Sequence, residues 1–440
     1  MGLKTLEEKT NIDAKYLKFD YLPLIFIISY LILTYILHFI MNSSKSITLL
    51  LFITITYMFI ITGYILALNR RSSYQYQEIF EIGVWKYGKG IEKLIIISML
   101  ITIISCINNI STFYYGVENI VEFILNPGKA YEYVKFLRNN PEFKTSSGGF
   151  GSIISILLTL ASGTKYIYLV LSILYWKQFS NKYKILFFVT SFIYLIQAFL
   201  IGAMITVAGL LMSSMPIILN NIRIRHITST SNKIKNKHFR KRKFQTLLFL
   251  ITTVIVIVFF IGNRVDENSS IFEGFKSLMF YLSHGYIGLE EAISLPFEFT
   301  YGFTTFQGIT SYFVKYLGIN DPFLNSYLVR NESINGWPAL SLWSTIYPWL
   351  ASDFTFFLIP LIMGLISFKF ASIWNRTLIT YNPYGYLLLG QLFIFWLMIP
   401  ANNQLFQTLS NSSSFFLILY LYHLSKKIER KKLNKAKEVK

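Results

Sequence analysis

Charged side chains are scarce in this sequence. Only 14% of its 440 residues are Asp, Glu, Lys or Arg, whereas 53% are hydrophobic. An ordinary soluble domain carries about 25% charged residues, so this composition excludes that class. Several stretches of about twenty residues are almost free of charge, which is the length a helix needs to cross a bilayer. The sequence therefore predicts an all-α, polytopic integral membrane helix bundle.

Cysteine, histidine and the signatures of soluble enzymes are also scarce. The single cysteine, Cys106, lies in an apolar run, so no disulfide can form within one chain. The five histidines include no pair at metal-ligand spacing, and the chain has no phosphate-binding P-loop, no HExxH and no DxD triplet. We therefore expect no metal and no cofactor. ATP and nucleotide sugars are disfavoured as substrates for the same reason.

The apolar runs predict about ten transmembrane helices. The first run, from about Leu22, is long enough to span, so it is expected to be an uncleaved anchor rather than a signal peptide. The predicted spans cover residues 22–41, 46–68, 93–113, 151–176, 184–200, 203–220, 245–262, 355–374, 385–401 and 407–424.

Basic residues cluster in the connections between these runs. Residues 221–243 carry nine Lys or Arg and no acid, and the tail from Ser425 carries eight against two glutamates. An even number of spans places both clusters and both termini in the cytoplasm, as the positive-inside rule requires. This placement explains most of the net charge of +19. Nucleic acid is therefore not expected as a partner.

The same topology leaves two long segments outside, at about 114–150 and 263–354. The second carries four basic residues against nine acids and is too long for a passive connector. We therefore expect three parts. Residues 1–262 form an N-terminal bundle of seven spans, residues 263–354 form an extracytoplasmic catalytic or substrate segment, and residues 355–440 form three spans and a basic tail.

Aromatic and amide side chains gather near the end of the long outer segment. Sugars stack their C–H faces on Trp and Tyr and pair their hydroxyls with polar side chains. An enzyme that works outside the cytoplasm without nucleotides needs an activated substrate, and a lipid-linked sugar satisfies that need. For Trp349, an interfacial aromatic belt is an equal alternative. The predicted sugar-binding residues here are Asn335, Trp337, Trp343, Tyr347 and Trp349.

Three arginines in the outer segments are candidates for a diphosphate, because a guanidinium offers a rigid fork of donors. They are Arg138, Arg264 and Arg330. Arg264 follows the seventh predicted span, so snorkelling to the membrane interface is its alternative role. For Arg330, in "YLVRNESINGW", the alternative is a surface salt bridge.

Lys165 lies inside the fourth apolar run, in "LASGTKYIYLV". An ionisable residue within a span indicates an intramembrane site by default. Alternatively, Ser162 and Gly163 break the run, which would leave Lys165 near the cytoplasmic end. The residues themselves support both interpretations equally.

Two stretches carry a resemblance to a known family. They are "FYLSHGYIGLEEAISLPFEFTYGF", from Phe280 to Phe303, and "NGWPALSLWSTIYPWLASDFTF", from Asn335 to Phe356. With their G-Y-x-G-L, aromatic-T-Y-G and W-x-A-S-D elements, they resemble the Wzy-type oligosaccharide repeat-unit polymerases of O-antigen and capsule synthesis. "LNPGKAYEYVKFLRN", before the fourth span, is similar to the first outer loop of that family.

The resemblance implies an enzyme of the bacterial plasma membrane. Its substrate would be an undecaprenyl-diphosphate-linked oligosaccharide, handled within membrane lipid on the outer face, without metal or nucleotide. A chain-length regulator and a flippase of the same pathway are further implied partners. The alternatives are a lipid-linked oligosaccharide flippase, which the long outer segment disfavours, and an O-antigen ligase-like glycosyltransferase.

Candidate catalytic residues fall in the two family-like stretches. Asp353 is the first candidate for the base that activates the acceptor hydroxyl, with His284 and Glu291 in reserve. An alternative role for Asp353 is to cap the eighth span, since it is predicted to lie in the first turn of that helix. Tyr286, in the G-Y-x-G-L element, joins the predicted sugar-binding residues.

Overall fold

The computed structural model describes most of the chain, and every regular element in the described part is a helix. The described residues are 20–42, 46–69, 85, 87–114, 117, 120–139, 152–202, 204–231, 271–341 and 344–438. The helices are α1 (Leu22–Met41), α2 (Ile47–Asn69), α3 (Lys89–Tyr114), α4 (Ile120–Leu125), α5 (Pro127–Asn139), α6 (Ser152–Leu160), α7 (Thr164–Tyr175), α8 (Asn181–Ile201), α9 (Met204–Ser231), α10 (Ile271–Ser283), α11 (Gly285–Ile293), α12 (Gln307–Leu317), α13 (Tyr327–Asn335), α14 (Ile346–Thr380), α15 (Pro383–Leu397) and α16 (Leu409–Glu438).

Seven of the described helices are long and apolar enough to cross a membrane, so the protein is a multi-pass membrane protein. The first six agree closely with the first six predicted spans. Residues 245–262, the seventh predicted span, lie outside the described residues. The seven are Leu22–Met41, Ile47–Asn69, Lys89–Tyr114, Ile153–Gln178, Asn181–Ile201, Ile205–Ile224 and Ile346–Thr380.

The last two predicted spans correspond to helices that do not meet the same criterion. α15 has 15 residues, fewer than the roughly twenty that cross a hydrocarbon core. α16 has 30 residues, but it begins with the polar stretch 410–414. Those serines pack against the 3₁₀ turn Ala161–Gly163, where the Ser410 hydroxyl donates to that of Ser162 at 2.8 Å. The start of α16 therefore makes polar contacts with a neighbouring helix where a typical transmembrane helix has apolar side chains.

The eighth predicted span starts earlier than its apolar run. α14 begins at Ile346, so most of "WSTIYPWLASDF" is helical, and residues 346–353 are buried. Thr355 interrupts the helix with a φ of 63° and separates a short N-terminal part from the long spanning part. The predicted boundary between residues 354 and 355 therefore falls at a kink inside α14. Helix packing, rather than hydropathy, determines where this helix begins.

A close crossing of α2 and α14 positions this kinked helix. A Cβ on Gly63 would lie 2.1 Å from the carbonyl oxygen of Gly364, so only glycine allows the two backbones to approach this closely. The Ser367 hydroxyl donates to the Ile60 carbonyl at 2.7 Å across the same crossing. One hydrophobic core joins these spanning helices to α11 and to the start of α14. Helix α11 and the start of α14 are thus packed into the bundle.

Candidate functional site

The two family-like stretches fold into one local unit. It consists of α11, the loop 294–306, α13 and residues 344–353, and it is called the site unit below. Helices α11, α13 and α14 pack against one another. The backbone N–H of Thr345 donates to the carbonyl of Gly285 at 3.2 Å, and that of Ile346 donates to the carbonyl of Ile399 at 2.9 Å. The site unit is therefore attached to the turn that follows α15.

Two glycines of the G-Y-x-G-L element allow this close packing. They are three residues apart and so lie on one face of α11. A Cβ on Gly285 would lie 2.1 Å from the carbonyl oxygen of Pro400. A Cβ on Gly288 would lie 2.4 Å from Nε1 of Trp337 and 3.0 Å from Oγ of Ser344. The glycines of this element are thus required by packing.

Asp353 is a buried carboxylate with both oxygens engaged. Its Oδ1 accepts from the Thr300 hydroxyl at 2.5 Å and from the Gly302 N–H at 2.6 Å, and its Oδ2 accepts from the Thr305 N–H at 2.7 Å. These bonds hold Tyr301 between them in the left-handed region, at a φ of 56°. The carboxylate caps this loop rather than the N-terminus of α14, which begins seven residues earlier.

This geometry gives Asp353 a structural role. Both of its oxygens already accept hydrogen bonds from the loop 300–305, so the carboxylate holds that loop in place. A non-glycine residue in the left-handed region costs about 1–3 kcal/mol and persists only where its surroundings impose it. The Asp353 carboxylate imposes that conformation on Tyr301.

Glu291 has the opposite environment. Its carboxyl lies near the Asn331 amide, while its Oε2 is buried without a partner among the described residues. Burial raises the pKa of the Glu291 carboxyl above 4.5; the Asn331 amide opposes this shift, and the charge of Glu290 adds to it. A raised pKa and a free oxygen are the properties expected of a group that exchanges protons.

The amide of Asn331 connects α11 with α13 at this point. Its Nδ2 donates to the carbonyl of Gly288 at 3.0 Å, and its Oδ1 accepts from Asn335 at 2.7 Å. Asn331 is buried, whereas Asn335 is exposed. The sequence places Asn331 beside the predicted sugar-binding residues but gives no sign that it contacts Glu291, 40 positions away. The asparagine pair forms a polar path from solvent to the Glu291 carboxyl.

His284 is buried completely between aromatic rings. Its ring stacks on Phe280 with centroids 5.0 Å apart and meets Tyr281 edge-on at 5.7 Å. Its Nδ1 lies 3.0 Å from the carbonyl oxygen of Phe280. Because a carbonyl only accepts, Nδ1 carries the proton. His284 is therefore a packed histidine that joins α10 to α11.

Three of the predicted sugar-binding rings face the interior of the bundle. Tyr286 is fully buried, and its hydroxyl lies 3.1 Å from that of Thr34 and 3.3 Å from that of Tyr57. Tyr347 is also fully buried, and Trp349 is 3% exposed. In this geometry none of the three presents a ring face to a sugar. Periodicity and composition could not predict this, because burial depends on which helices pack on these residues.

The remaining predicted sugar-binding residues are placed differently. Trp337 is half-buried at the mouth of the site unit, next to exposed Asn335. Its indole packs beside the cluster formed by Phe323, Leu328, Ala339 and Trp349. Trp343 lies outside the described residues.

Exposed aromatic rings line the loop that Asp353 holds. Phe297, Phe299 and Tyr301 are 42%, 48% and 71% exposed. Their ring centroids are 6.2 Å apart between Phe297 and Phe299 and 4.6 Å apart between Phe299 and Tyr301. These three residues are called the aromatic loop below. In the sequence, these aromatic residues alternate with other residues in "PFEFTYGF", within the first family-like stretch. The sequence analysis predicts no sugar-binding role for them.

Arg330 uses its guanidinium within the protein. Nη1 pairs with Glu298 at 2.7 Å, Nη2 donates to the Pro296 carbonyl at 2.6 Å, and Nε donates to the Asn325 carbonyl at 3.1 Å. The side chain thus ties the aromatic loop to α13, so the salt-bridge alternative fits this geometry better than a diphosphate role. Arg264, and the side chain of Arg138 on α5, lie outside the described part.

Lys165 lies near the middle of the continuous span Ile153–Gln178. The run tightens to a 3₁₀ turn at Ala161–Gly163 but continues into α7 without a break. The Lys165 Nζ lies 5.1 Å from the centroid of the Tyr166 ring. The structure therefore favours the intramembrane placement over the cytoplasmic end. It also places Lys165 on a helix that packs mainly against α3.

The site unit contains a carboxyl group that can exchange a proton. It also contains aromatic and amide side chains that can bind a polyhydroxylated ligand. Among the described residues, no three His, Cys, Asp or Glu side chains come together as a metal site would require. No protein-family model, curated protein or solved structure matches this chain.

Proposed function

We propose that this protein is a membrane glycosyltransferase that polymerises undecaprenyl-diphosphate-linked oligosaccharide repeat units on the outer face of the bacterial plasma membrane. The resemblance of residues 280–303 and 335–356 to Wzy-type polymerases motivates the proposal. The observation that carries it is the half-buried Glu291 carboxyl inside the unit formed by those two stretches. One of its oxygens has no partner among the described residues, and burial raises its pKa.

In the proposed reaction, the bond between the anomeric carbon of the growing chain and its diphosphate oxygen breaks. The acceptor hydroxyl of the next lipid-linked unit forms the new glycosidic bond, and its proton passes to ionised Glu291. Undecaprenyl diphosphate leaves with the bonding electrons. Because this leaving group is already activated, the reaction requires no nucleotide. Arg264 and Arg138 are the proposed contacts of the diphosphate, and Arg330 positions the aromatic loop.

Sugar binding is proposed at the exposed side of the site unit. Phe297, Phe299 and Tyr301 offer ring faces that a sugar can stack on, and Trp337 with Asn335 offers a second contact near Glu291. Tyr286, Tyr347 and Trp349 then act from beneath by holding α11 and α14 in place. In this arrangement the acceptor hydroxyl approaches Glu291 along the two asparagines.

The proposed topology has about ten spans, with the site unit outside and both termini in the cytoplasm. It is tested with single cysteines in place of Ser341 and Lys427, in a chain that carries Cys106→Ala. In intact cells, an impermeant maleimide should label the first cysteine and not the second. Equal labelling would contradict the topology.

The glycan made by a strain that lacks this gene tests the function. Surface or lipid-linked single repeat units, with no long chains, are expected of a lost polymerase. Repeat units that accumulate inside the cell would indicate a flippase instead. Finished polymer that fails to attach to its acceptor would indicate a ligase.

A further inference from the structure

A groove lies between α14, α15 and α16. Its volume is about 620 Å³, and apolar side chains line most of its length, among them Leu365, Leu388, Leu392 and Leu419. It runs along α14 as far as Arg376, which is 21 residues beyond the kink at Thr355 and hence about 32 Å farther along the helix axis at 1.5 Å per residue. The end of the groove at Arg376 is therefore distinct from the proposed active site.

Cationic side chains line one end of the groove. Lys369 and Lys426 both contribute to the lining, together with Arg376. Lys369 is exposed and Lys426 is half-buried, with its Nζ 4.4 Å from the centroid of the Tyr422 ring. Neither lysine has an acidic partner among the described residues. We call this cavity the basic groove.

Among the described residues, the acid next to these cations is Glu429, and it is already engaged. Glu429 is fully buried, and its Oε1 accepts from Nε1 of Trp85 and from Nδ2 of Asn382, both at 2.8 Å. Its Oε2 pairs with Arg376. Glu429 thus compensates Arg376 and leaves the charge of the two lysines without a counterion.

The charges of the groove repel one another. The Lys426 amine lies past the apolar part of α16, and its pKa is lowered by burial first and then by Arg376, with smaller contributions from Arg430 and Lys369; Glu429 opposes the shift. An anion at this end of the groove would relieve that repulsion. The positive charge and the apolar lining together define the ligand as an amphiphile with an anionic head.

We propose that the basic groove binds an anionic phospholipid, with an acyl chain along the apolar lining and the phosphate between Lys369 and Lys426. Basic pockets between transmembrane helices bind anionic headgroups in this way. From Ile362 to Arg376 the lining extends over 14 residue steps of α14, about 21 Å of helix axis. One leaflet, including its headgroups, has a similar thickness of about 20–22 Å. The lipid stabilises the contact among α14, α15 and α16.

Native mass spectrometry of the full chain in detergent tests this proposal. The probes are dioleoylphosphatidylglycerol, which is anionic, and dioleoylphosphatidylcholine, which is zwitterionic. Each lysine near an anionic headgroup changes the affinity about five-fold. The wild type should therefore bind the anionic lipid about 25-fold more tightly than the zwitterionic one. Equal affinity for the two lipids would overturn the proposal without any variant.

Variants then locate the binding. Lys369→Gln with Lys426→Gln should remove most of the preference for the anionic lipid. The matched control is Lys177→Gln with Lys182→Gln, which removes the same charge from two exposed lysines near the start of α8. This control should keep the preference for the anionic lipid. If the control loses as much of the preference for the anionic lipid as the groove variant does, the preference arises from the net charge of the protein and not from the basic groove, and the proposal fails.

A third variant tests the groove itself. Ser372 is exposed and lines the cavity, so Ser372→Trp should fill it while every charge is kept. Weaker binding of both lipids is expected, and unchanged binding would contradict a seated acyl chain. Because the readout is lipid binding, its failure leaves the polymerase proposal untouched.

Discussion

On one side of the site unit the Asp353 carboxylate accepts three hydrogen bonds, whereas on the other side the Glu291 carboxyl keeps one oxygen without a partner among the described residues. Asp353 holds a turn in a conformation that it would not adopt alone. Glu291 lies where α11 meets α13, and burial raises its pKa. The contrast shows that two carboxyl groups of one local unit differ in how far their oxygens are hydrogen-bonded, and it is the basis for proposing Glu291 rather than Asp353 as the base.

Glu291→Gln should have the largest effect on activity. The amide keeps the shape and the contact with Asn331 but cannot take a proton. General base catalysis contributes about 10²–10⁴-fold, so chain elongation should fall by at least about 100-fold. The measurement is polymer length in a deletion strain that expresses the variant. Glu332→Gln, on the exposed face of α13, is the control and should retain long chains. Long chains from Glu291→Gln at normal protein levels would remove Glu291 from the mechanism.

Asp353→Asn should have the largest effect on stability. An amide has a single acceptor oxygen, and its NH₂ would face a backbone donor at Gly302 or Thr305. A lost charge-assisted hydrogen bond and an unpaired buried donor together cost about 2–4 kcal/mol. The free energy of unfolding in detergent measures the loss.

The control for this substitution is Asp321→Asn. Asp321 accepts from the Phe323 N–H at 3.0 Å at the start of a 3₁₀ turn, where asparagine caps equally well. Its stability should change by less than about 1 kcal/mol. If Asp353→Asn is as stable as the wild type and makes no polymer, Asp353 is the base and the comparison is reversed.

Gly288→Ala tests the packing that brings Glu291 and Asn331 together. The added Cβ would lie 2.4 Å from Nε1 of Trp337, so the indole or α11 must move. Overpacking of this kind costs about 1–3 kcal/mol. Gly90→Ala is the control, because its Cβ would meet nothing within 4 Å. A thermal midpoint for Gly288→Ala equal to that of the wild type would show that α11 and Trp337 adapt freely.

The smallest expected effect is a pH dependence of stability. Because the pKa of Glu291 is raised in the folded protein, its protonated form stabilises the fold below about pH 4.5, the ordinary value, and this contribution is lost as the pH rises through the folded pKa. Glu291→Gln avoids that loss. It should therefore match the wild type in acid and be slightly more stable at neutral pH, by thermal unfolding. A difference that is the same at both pH values would exclude the raised pKa.

Hydropathy and charge, read from the sequence alone, determined the class of this protein and the first six spans. A span must be apolar along its whole length, so its own residues specify it. The resemblance to Wzy-type polymerases, carried by short motifs, grouped residues 280–303 with residues 335–356. It also indicated Glu291 and His284 as candidates, but with no order among them.

Tertiary structure decided which of these residues are buried and which side chains they contact. The partners of Asp353 lie 48 to 53 positions away, and Tyr286 meets Thr34 across 252 positions. No local pattern encodes such pairs, because they depend on how α1, α2 and α14 cross. The sequence predicted a base at Asp353 and sugar contacts at Tyr286 and Tyr347. The fold buries all three side chains, and no local pattern indicated that burial. The composition of a segment determines whether that segment lies in lipid or in water, whereas the packing of the helices determines which side chains are neighbours.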